Sequence, residues 1–161
     1  GLNIGLTYKN FDLTGFLYGS FGNDIFNWNT WWIDFWPSFQ GVKSKDLLYK
    51  SWTPERTNTD VPKASNISNF STNTVSCDYY LEKGSFVRLK NLQLGYTLPQ
   101  SLLGKVNISS LRIYVQAVNL FTITNYSGLD PELGGDDRNF GIDYGNYPNV
   151  KQYIVGLNLV L

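Results

Sequence analysis

The 161-residue sequence contains no histidine, no methionine and a single cysteine, Cys77. Without histidine there is no imidazole base, no Ser-His-Asp triad and little of the usual ligand set for zinc. One cysteine excludes an intrachain disulfide and any Cys-x-x-Cys metal or redox pair. Charge is scarce too. Asp, Glu, Lys and Arg make up 16% of the chain, against about 25% in an ordinary soluble domain. The 13 basic residues balance the 13 acidic ones, so nothing draws the chain to a polyanion and nucleic acid is not an expected partner. No apolar run approaches the roughly 18 residues of a spanning helix, and no stretch has the pattern of a secretory leader. With no methionine at all, the chain is expected to be processed from, or part of, something longer. It shows no catalytic constellation and no metal-ligand spacing. No enzymatic activity, cofactor or metal site is expected.

Aromatic residues are abundant. Five Trp, eleven Tyr and ten Phe amount to 16% of the chain, yet mean hydropathy is only −0.22. Many aromatics with few charges and 15 glycines suggest an all-β chain. Period-two alternation supports this. Leu2, Ile4, Leu6 and Tyr8 alternate with Asn3, Gly5, Thr7 and Lys9, apolar on one face and polar on the other. Asn10, Phe11 and Asp12 supply a turn, and a second strand is expected over residues 13–21. Its phase is ambiguous, with Leu13, Gly15, Leu17 and Gly19 on one face and Thr14, Phe16, Tyr18 and Ser20 on the other. Further on, Leu92, Leu94, Tyr96 and Leu98 alternate with Asn91, Gln93, Gly95 and Thr97 until Pro99 stops the strand. Leu111, Ile113, Val115 and Ala117 alternate with Arg112, Tyr114, Gln116 and Val118. In the last strand Tyr153, Val155, Leu157, Leu159 and Leu161 share a face, with Gln152, Gly156 and Asn158 on the other.

The connections alternate between short and long. Residues 24–84 hold all five tryptophans and show no clean period, apart from a possible short helix over 45–52 with Leu47, Leu48 and Trp52 on one side. Residues 122–148 are rich in glycine and acidic residues and are also unpatterned. Long structureless connections of this kind are usually functional. About five antiparallel strands of near ten residues, joined alternately by short and long segments, match a transmembrane β-barrel with short periplasmic turns and long outer loops. The apolar faces would meet lipid and the Asn/Gln/Gly/Thr faces a wet lumen, with Tyr8, Tyr96 and Tyr153 in the interfacial girdles. A soluble all-β carbohydrate-binding module would alternate as well, with its apolar faces sealed inside. A passive porin would share the strands. Five strands do not close a barrel, since the smallest have about eight, and an open sheet in lipid leaves unsatisfied edges. The missing strands are therefore expected from elsewhere in the same protein.

The run Tyr80-Leu81-Glu82-Lys83-Gly84-Ser85-Phe86-Val87-Arg88-Leu89-Lys90-Asn91-Leu92-Gln93-Leu94-Gly95-Tyr96-Thr97-Leu98-Pro99 closely resembles a segment near the C-terminus of SusC/RagA-type TonB-dependent transporters. A second block follows in the family's order, from Leu111-Arg112-Ile113-Tyr114-Val115 through Asn119-Leu120-Phe121-Thr122 to Leu129-Asp130-Pro131-Glu132. Asp143-Tyr144-Gly145, Tyr147-Pro148 and the closing Gly156-Leu157-Asn158-Leu159 strand resemble the family's end. Tyr8-Lys9-Asn10-Phe11-Asp12-Leu13 and Gly22-Asn23-Asp24 fit the preceding hairpin. The likeness covers nearly the whole chain except the Trp-rich segment. It implies that residues 1–161 are the C-terminal strands of a barrel of about 22 strands, with 24–84 as a long extracellular loop and the plug domain outside this chain. It further implies import of oligosaccharides, or in some members peptides, across the outer membrane of Bacteroidetes. A SusD-like surface lipoprotein would cap the barrel, and TonB would be engaged through an N-terminal part. Family barrels usually end in Phe, and this one ends in Leu161.

Among the side chains, Trp28, Trp31, Trp32 and Trp36 are candidates for substrate or partner contact, because exposed indoles stack on sugar rings and anchor interfaces. They would equally serve as the loop's own small core or as an interfacial belt. Arg112, on the polar face, is a candidate for pairing with plug carboxylates or an anionic substrate. Arg88 and Lys90, at the outer end of their strand, are expected to snorkel or to pair with loops. The acidic residues Asp130, Glu132, Asp136, Asp137 and Asp143 lack the regular spacing of a calcium loop and read as a solvated surface. Cys77 reads as an incidental free thiol, and the Asn-x-Ser sequons at Asn66, Asn69, Asn107 and Asn125 as chance matches.

Overall fold

The structure, a computed structural model, describes residues 1–65, 76–104, 108–135 and 137–161. Asn66, Asn69, Asn107 and Asp136 lie outside the described residues. In chain order the elements are β1 (Leu2–Tyr8), β2 (Phe11–Ser20), β3 (Asp24–Asn27), α1 (Trp28–Thr30), a π turn (Trp31–Phe35), α2 (Lys45–Lys50), a 3₁₀ turn (Asp78–Tyr80), β4 (Leu81–Lys83), β5 (Phe86–Thr97), α3 (Gln100–Leu103), β6 (Ser110–Val118), β7 (Thr122–Thr124), β8 (Ile142–Asp143) and β9 (Gln152–Val160). They form two compact units. One comprises Gly1–Phe21, Phe86–Thr124 and Asn149–Leu161, and the other Gly22–Ser85 and Asn125–Pro148.

The first unit is an antiparallel sheet in the order β1-β2-β5-β6-β9, with β7 also paired to β5. Its register sorts side chains into transverse ranks. Leu6, Leu13, Leu94, Val115 and Val155 stand opposite one another across all five strands. The next rank is Gly5, Thr14, Gln93, Gln116 and Ile154, on the other face. This settles the phase of β2, whose Leu13, Gly15 and Leu17 join the leucine face. The first turn also shifts from its expected place. It is the two residues Lys9-Asn10, with Lys9 at φ 51°, and Phe11 already pairs with Tyr8. Phe11 then extends the rank Tyr8, Phe11, Tyr96, with its ring 4.6 Å from that of Tyr96.

One irregularity keeps the two faces consistent. In Arg88-Leu89-Lys90-Asn91-Leu92, two polar residues follow one another and break the alternation. A bulge absorbs the surplus residue: Phe16 pairs with Asn91 and Leu17 with Leu89, passing over Lys90. Val87 and Leu89 thereby rejoin the face of Leu92 and Leu94, and Arg88 stays on the polar one. A simple continuation would have turned every later side chain over. The chain also stays in the wall beyond Val118. The Asn119 and Leu120 amides donate to the Lys90 and Leu89 carbonyls, and β7 pairs with Phe86, Val87 and Arg88. The stretch from Thr122, read from sequence as unpatterned, therefore begins as strand. Three residues are too few to display a period.

The leucine face is exposed. Leu2, Leu6, Tyr8, Tyr153, Val155 and Leu157 are all more than half accessible, Val155 reaching 77%. β1 and β9 form the two edges of this sheet. Among the described residues no helix is long and apolar enough to cross a membrane, and that has no bearing on crossing by strands.

The second unit is ordered the usual way, apolar side inward. A small sheet runs β4-β3-β8, with β3 antiparallel to β4 and parallel to β8. Its core gathers Phe35, Leu47, Val61 and Tyr80, with Phe26, Trp31, Tyr79 and Cys77 packed against it. Cys77, a free thiol, is thus half-buried against this core. The expected helix over 45–52 forms as α2 and buries Leu47, while Leu48 stays exposed and Trp52 falls beyond the helix end. Ser44 caps α2 by accepting from the Leu47 amide at 3.1 Å.

Candidate functional site

Two sets of side chains carry the functional question: the polar face of the sheet and the tryptophans of the second unit. On the polar face the rank Thr7, Asp12, Gly95, Tyr114, Gly156 crosses the whole sheet. Arg112 reaches diagonally over this rank to Asp12. Its Nε donates to Oδ1 at 2.9 Å, and one Nη donates to Oδ2. The pair is a bidentate fork, the strongest geometry a guanidinium and a carboxylate form. Gly95 makes it possible, because a Cβ there would collide with both the guanidinium and the carboxylate. The Tyr114 ring covers Gly156 in the same manner, and the Arg112 guanidinium lies 5.2 Å from that ring. Farther along, Gln116 Nε2 donates to Asn91 Oδ1 at 2.9 Å. Arg112 therefore finds its carboxylate inside the sheet, 100 residues away in sequence, where sequence reading looked to a plug or an anionic substrate.

Of the two courses expected of Arg88, it takes pairing with a connecting segment, through Thr122. It is 3% exposed, its Nε donates to Thr122 Oγ1 at 2.7 Å, and its guanidinium lies 5.6 Å from the Phe86 ring. A side chain this buried does not snorkel. Lys90, the bulge residue, is half-buried with its ammonium 5.5 Å from the Tyr18 ring. The partner that draws Arg88 in sits on β7, the strand the sequence concealed.

The structure brings the four candidate tryptophans together, and Arg112 belongs to the other unit. Trp28 and Trp31 rings are 4.8 Å apart, Trp31 and Trp32 meet edge-on at 5.4 Å, and Trp32 and Trp36 edge-on at 4.0 Å. The series continues through Phe26 and Tyr144, each beside Trp28. Asn27 caps this helical segment, its Oδ1 accepting from the Thr30 amide at 3.3 Å. Trp31 packs on the core while Trp32 is 38% exposed. Trp28, Trp31 and Trp36 are half-buried, and of the four only Trp32 is exposed.

Sequence reasoning missed the polar clasps that fold the two long segments into one unit. Glu82 accepts from Asn27 Nδ2 at 2.8 Å, from Ser127 Oγ at 2.7 Å and from the Ser127 amide at 2.8 Å. Asp143, only 3% exposed, accepts from the Tyr126 hydroxyl at 2.6 Å and from the Gly145 amide at 2.8 Å. Asp130, also buried, accepts from the Glu132 amide. The acidic segment is therefore partly a set of internal turn-makers, where a solvated surface was expected. Among the described residues no three His, Cys, Asp or Glu side chains converge as a metal site would require. Burial, with the Asp143 hydrogen bond, raises the Tyr126 phenol well above its usual range. Burial, with the Asp34 and Asp46 carboxylates adding to it, pushes Tyr79 up to about 12.

No family model matches the chain. It is 39% identical over 166 residues to TonB-dependent receptor P3 of Formosa agariphila, covering 99% of this chain and 16% of that protein. It is 29% identical over 161 residues to the TonB-dependent receptor SusC of Bacteroides thetaiotaomicron, covering 99% and 14%. A solved structure of the RagAB peptide transporter superposes with a TM-score of 0.75 at 34% identity, covering 98% of this chain and 16% of that one. The chain thus spans about one sixth of the relatives it matches. Its two-faced antiparallel sheet, its loop blocks and these likenesses together place the chain among the SusC/RagA-type TonB-dependent receptors, as a segment of their β-barrel.

Proposed function

We propose that this chain is barrel wall and extracellular loop of an outer-membrane importer that takes up oligosaccharides or peptides at the expense of TonB-coupled energy. The observation that carries the reading is the exposed leucine face, in register across five strands. Keeping one large aliphatic side chain in water forgoes about 1.5–3 kcal/mol relative to burying it, so a face built of them demands an apolar solvent. Lipid supplies that solvent along the whole face. The rank Tyr8, Phe11, Tyr96 at the short-turn end fits an interfacial girdle, and the Asn/Gln/Thr face fits an aqueous lumen. A soluble carbohydrate-binding module would bury this face, and among the described residues no second layer covers it within the sheet's own unit.

In this reading β1 and β9 continue into further strands of the same barrel, since an unpaired edge in hydrocarbon costs several kcal/mol per backbone group. Residues 24–84 form an extracellular loop, and the short turn at Lys9-Asn10 faces the periplasm. A SusD-like surface lipoprotein covers the outer mouth, and TonB acts through a part of the receptor outside this chain. The segment contributes no catalysis. The RagAB relative is a peptide transporter and the sequence resemblance implies oligosaccharides as well, so both substrate classes stay within the proposal. The test is localisation and uptake by the full-length receptor. It should fractionate with the outer membrane, and deleting its gene should abolish growth on one polysaccharide or one protein source. A full-length protein recovered folded from the soluble fraction without detergent would overturn the reading.

A further inference from the structure

Alternation decides which face of a strand meets which solvent, but not how far the strand slides along its neighbour. β1 and β2 are held in place by the two-residue turn Lys9-Asn10. β6 and β9 have no such turn, since residues 119–151 separate them. Their apolar face does not choose a position either. In the observed pairing Leu111, Ile113 and Val115 stand opposite Leu159, Leu157 and Val155. A slide of two residues one way would set them against Leu161, Leu159 and Leu157, and the other way against Leu157, Val155 and Tyr153. All three arrangements are apolar throughout. Just ahead of β9, Asn119 Nδ2 donates to the Val150 carbonyl at 3.1 Å, but every residue offers such a carbonyl.

The polar face does choose. We infer that the rank Asp12, Gly95, Tyr114, Gly156 is a register key, in which Tyr114 positions β9 along β6 and the Asp12–Arg112 fork repeats the device on β5. Tyr114 stands directly opposite Gly156, and a Cβ at that glycine would collide with the ring. Gly156 is the only glycine of β9. Its neighbours on the same face are Ile154 and Asn158, and either slide would bring one of them under the ring. The ring would then have to swing away and give up its cross-strand contact, the kind by which aromatics pin glycines in register. The Arg112 guanidinium, anchored by Asp12, lies 5.2 Å from the same ring. On β5, Gly95 is likewise the only glycine, and it stands opposite both Asp12 and Tyr114. A Cβ there would meet the guanidinium and the carboxylate, so the fork crosses β5 at one residue alone. Residues 21–85 join β2 to β5 and residues 98–109 join β5 to β6, so no tight turn sets these pairings. A slide also matters beyond one pair of strands. Stagger and tilt together decide whether a barrel closes, and an error at β9 would pass to every strand beyond it. This role is independent of what the receptor imports, because register belongs to the sheet itself.

The test reads register directly in the full-length receptor isolated from cells, with Cys77→Ser and any other cysteine also replaced by serine. Three cysteine pairs are oxidised and the cross-linked peptides quantified by mass spectrometry. Gln116→Cys with Ile154→Cys reports the observed pairing. Gln116→Cys with Gln152→Cys reports a slide one way, and Val118→Cys with Ile154→Cys a slide the other way. In the parent and in Tyr114→Phe, which keeps the ring, only the first pair should rise above background. In Tyr114→Ala a slipped pair should reach at least about a tenth of the native yield, the share of a register lying within about 1.4 kcal/mol of the native one. Loss of packing alone would reduce the amount of assembled receptor and leave both slipped pairs at background, and that result would overturn the register key. Where Tyr114→Ala leaves no assembled receptor to oxidise, exchanging ring and glycine decides. Directly opposed residues of an antiparallel pair are equivalent sites, so Tyr114→Gly combined with Gly156→Tyr should restore both assembly and the native cross-link. Failure to restore them would overturn the proposal as well. A receptor found outside the outer membrane with its native cross-link intact would remove the importer reading and leave the key standing.

Discussion

The two units of this chain solve the same problem in opposite directions. In the sheet, large aliphatic and aromatic side chains point outward on one face, and the other carries Asn, Gln, Thr, Asp and Arg, with glycines, Tyr114 and Ile154 among them. In the unit formed by 22–85 and 125–148, Phe35 and Tyr80 are 1% exposed and carboxylates such as Asp34 and Asp143 are buried only with their hydrogen bonds made. Composition does not separate the two, since both are rich in aromatics. Pattern and solvent do. A strand that meets hydrocarbon on one side needs only strict alternation, whereas a unit surrounded by water must close a core out of residues far apart in sequence. The teaching of the contrast is that exposed leucine in one part and buried phenylalanine in the other are both favourable placements, each judged against its own surroundings.

The sharpest way to break this contrast is to damage each unit by its own rule. Phe35→Ala should destabilise the loop unit by about 3–5 kcal/mol, as lost burial plus an unfilled cavity. In the full-length receptor this would appear as protease cleavage within 22–85 at lower urea, with the barrel still resisting denaturation by detergent. An unchanged cleavage midpoint would mean that this core does not hold the loop. The complementary change is in the wall. Leu94→Arg should cost about 2–4 kcal/mol near the bilayer midplane, whereas Gln93→Arg, one position along on the lumen face, should cost less than about 1 kcal/mol. Urea titration of the receptor refolded into phosphatidylcholine vesicles measures both. Equal losses at the two positions would mean that the faces are misassigned.

The same contrast explains what was legible in the sequence. β1, the lower half of β5, β6 and β9 announce themselves because lipid on one side and water on the other impose a period of two. The bulge at Lys90 is visible in hindsight as two consecutive polar residues, but the sequence alone does not say whether they end a strand or kink it. The loop unit was opaque for a physical reason. Its small sheet joins Phe26 to Ile142 and Ile25 to Glu82, pairs made from strands two to four residues long that are too short to carry a period. Its clasps, Glu82 with Ser127 and Tyr126 with Asp143, depend on geometry that no local rule encodes. The four tryptophans were legible as a set, but not that Trp31 packs on the core while Trp32 stays exposed. Arg112 was placed on the correct face, but its partner lay at the far end of the sequence distance.

Arg112 also offers a test of intermediate size. The pair with Asp12 lies on the polar face with roughly a quarter of each side chain accessible, so it is neither fully desolvated nor a free surface contact. Asp12→Ala should cost about 1.5–3 kcal/mol, the range for hydrogen bonds to a charged group. Removing Arg112 as well should return part of that loss, because the uncompensated guanidinium goes with it. If the single and double variants lose stability additively in the vesicle titration, the two side chains act independently and the fork over Gly95 contributes nothing as a pair.

The smallest expected effect is confined to the loop unit and to high pH. A tyrosine in water ionises near pH 10, but burial, aided by Asp34 and Asp46, holds Tyr79 protonated to about 12. Folding therefore keeps a proton that the unfolded segment gives up. Stability from this source is present in full below about pH 10, falls as pH rises because the unfolded form gains by ionising, and is exhausted once Tyr79 itself ionises near 12. The urea midpoint for cleavage within 22–85 should accordingly slope downward between these two pH values. Tyr79→Phe, which has no proton to lose, should lower the midpoint at neutral pH little and flatten the slope, leaving whatever Tyr126 contributes through Asp143. A slope in Tyr79→Phe as steep as in the parent receptor would place the alkaline sensitivity elsewhere.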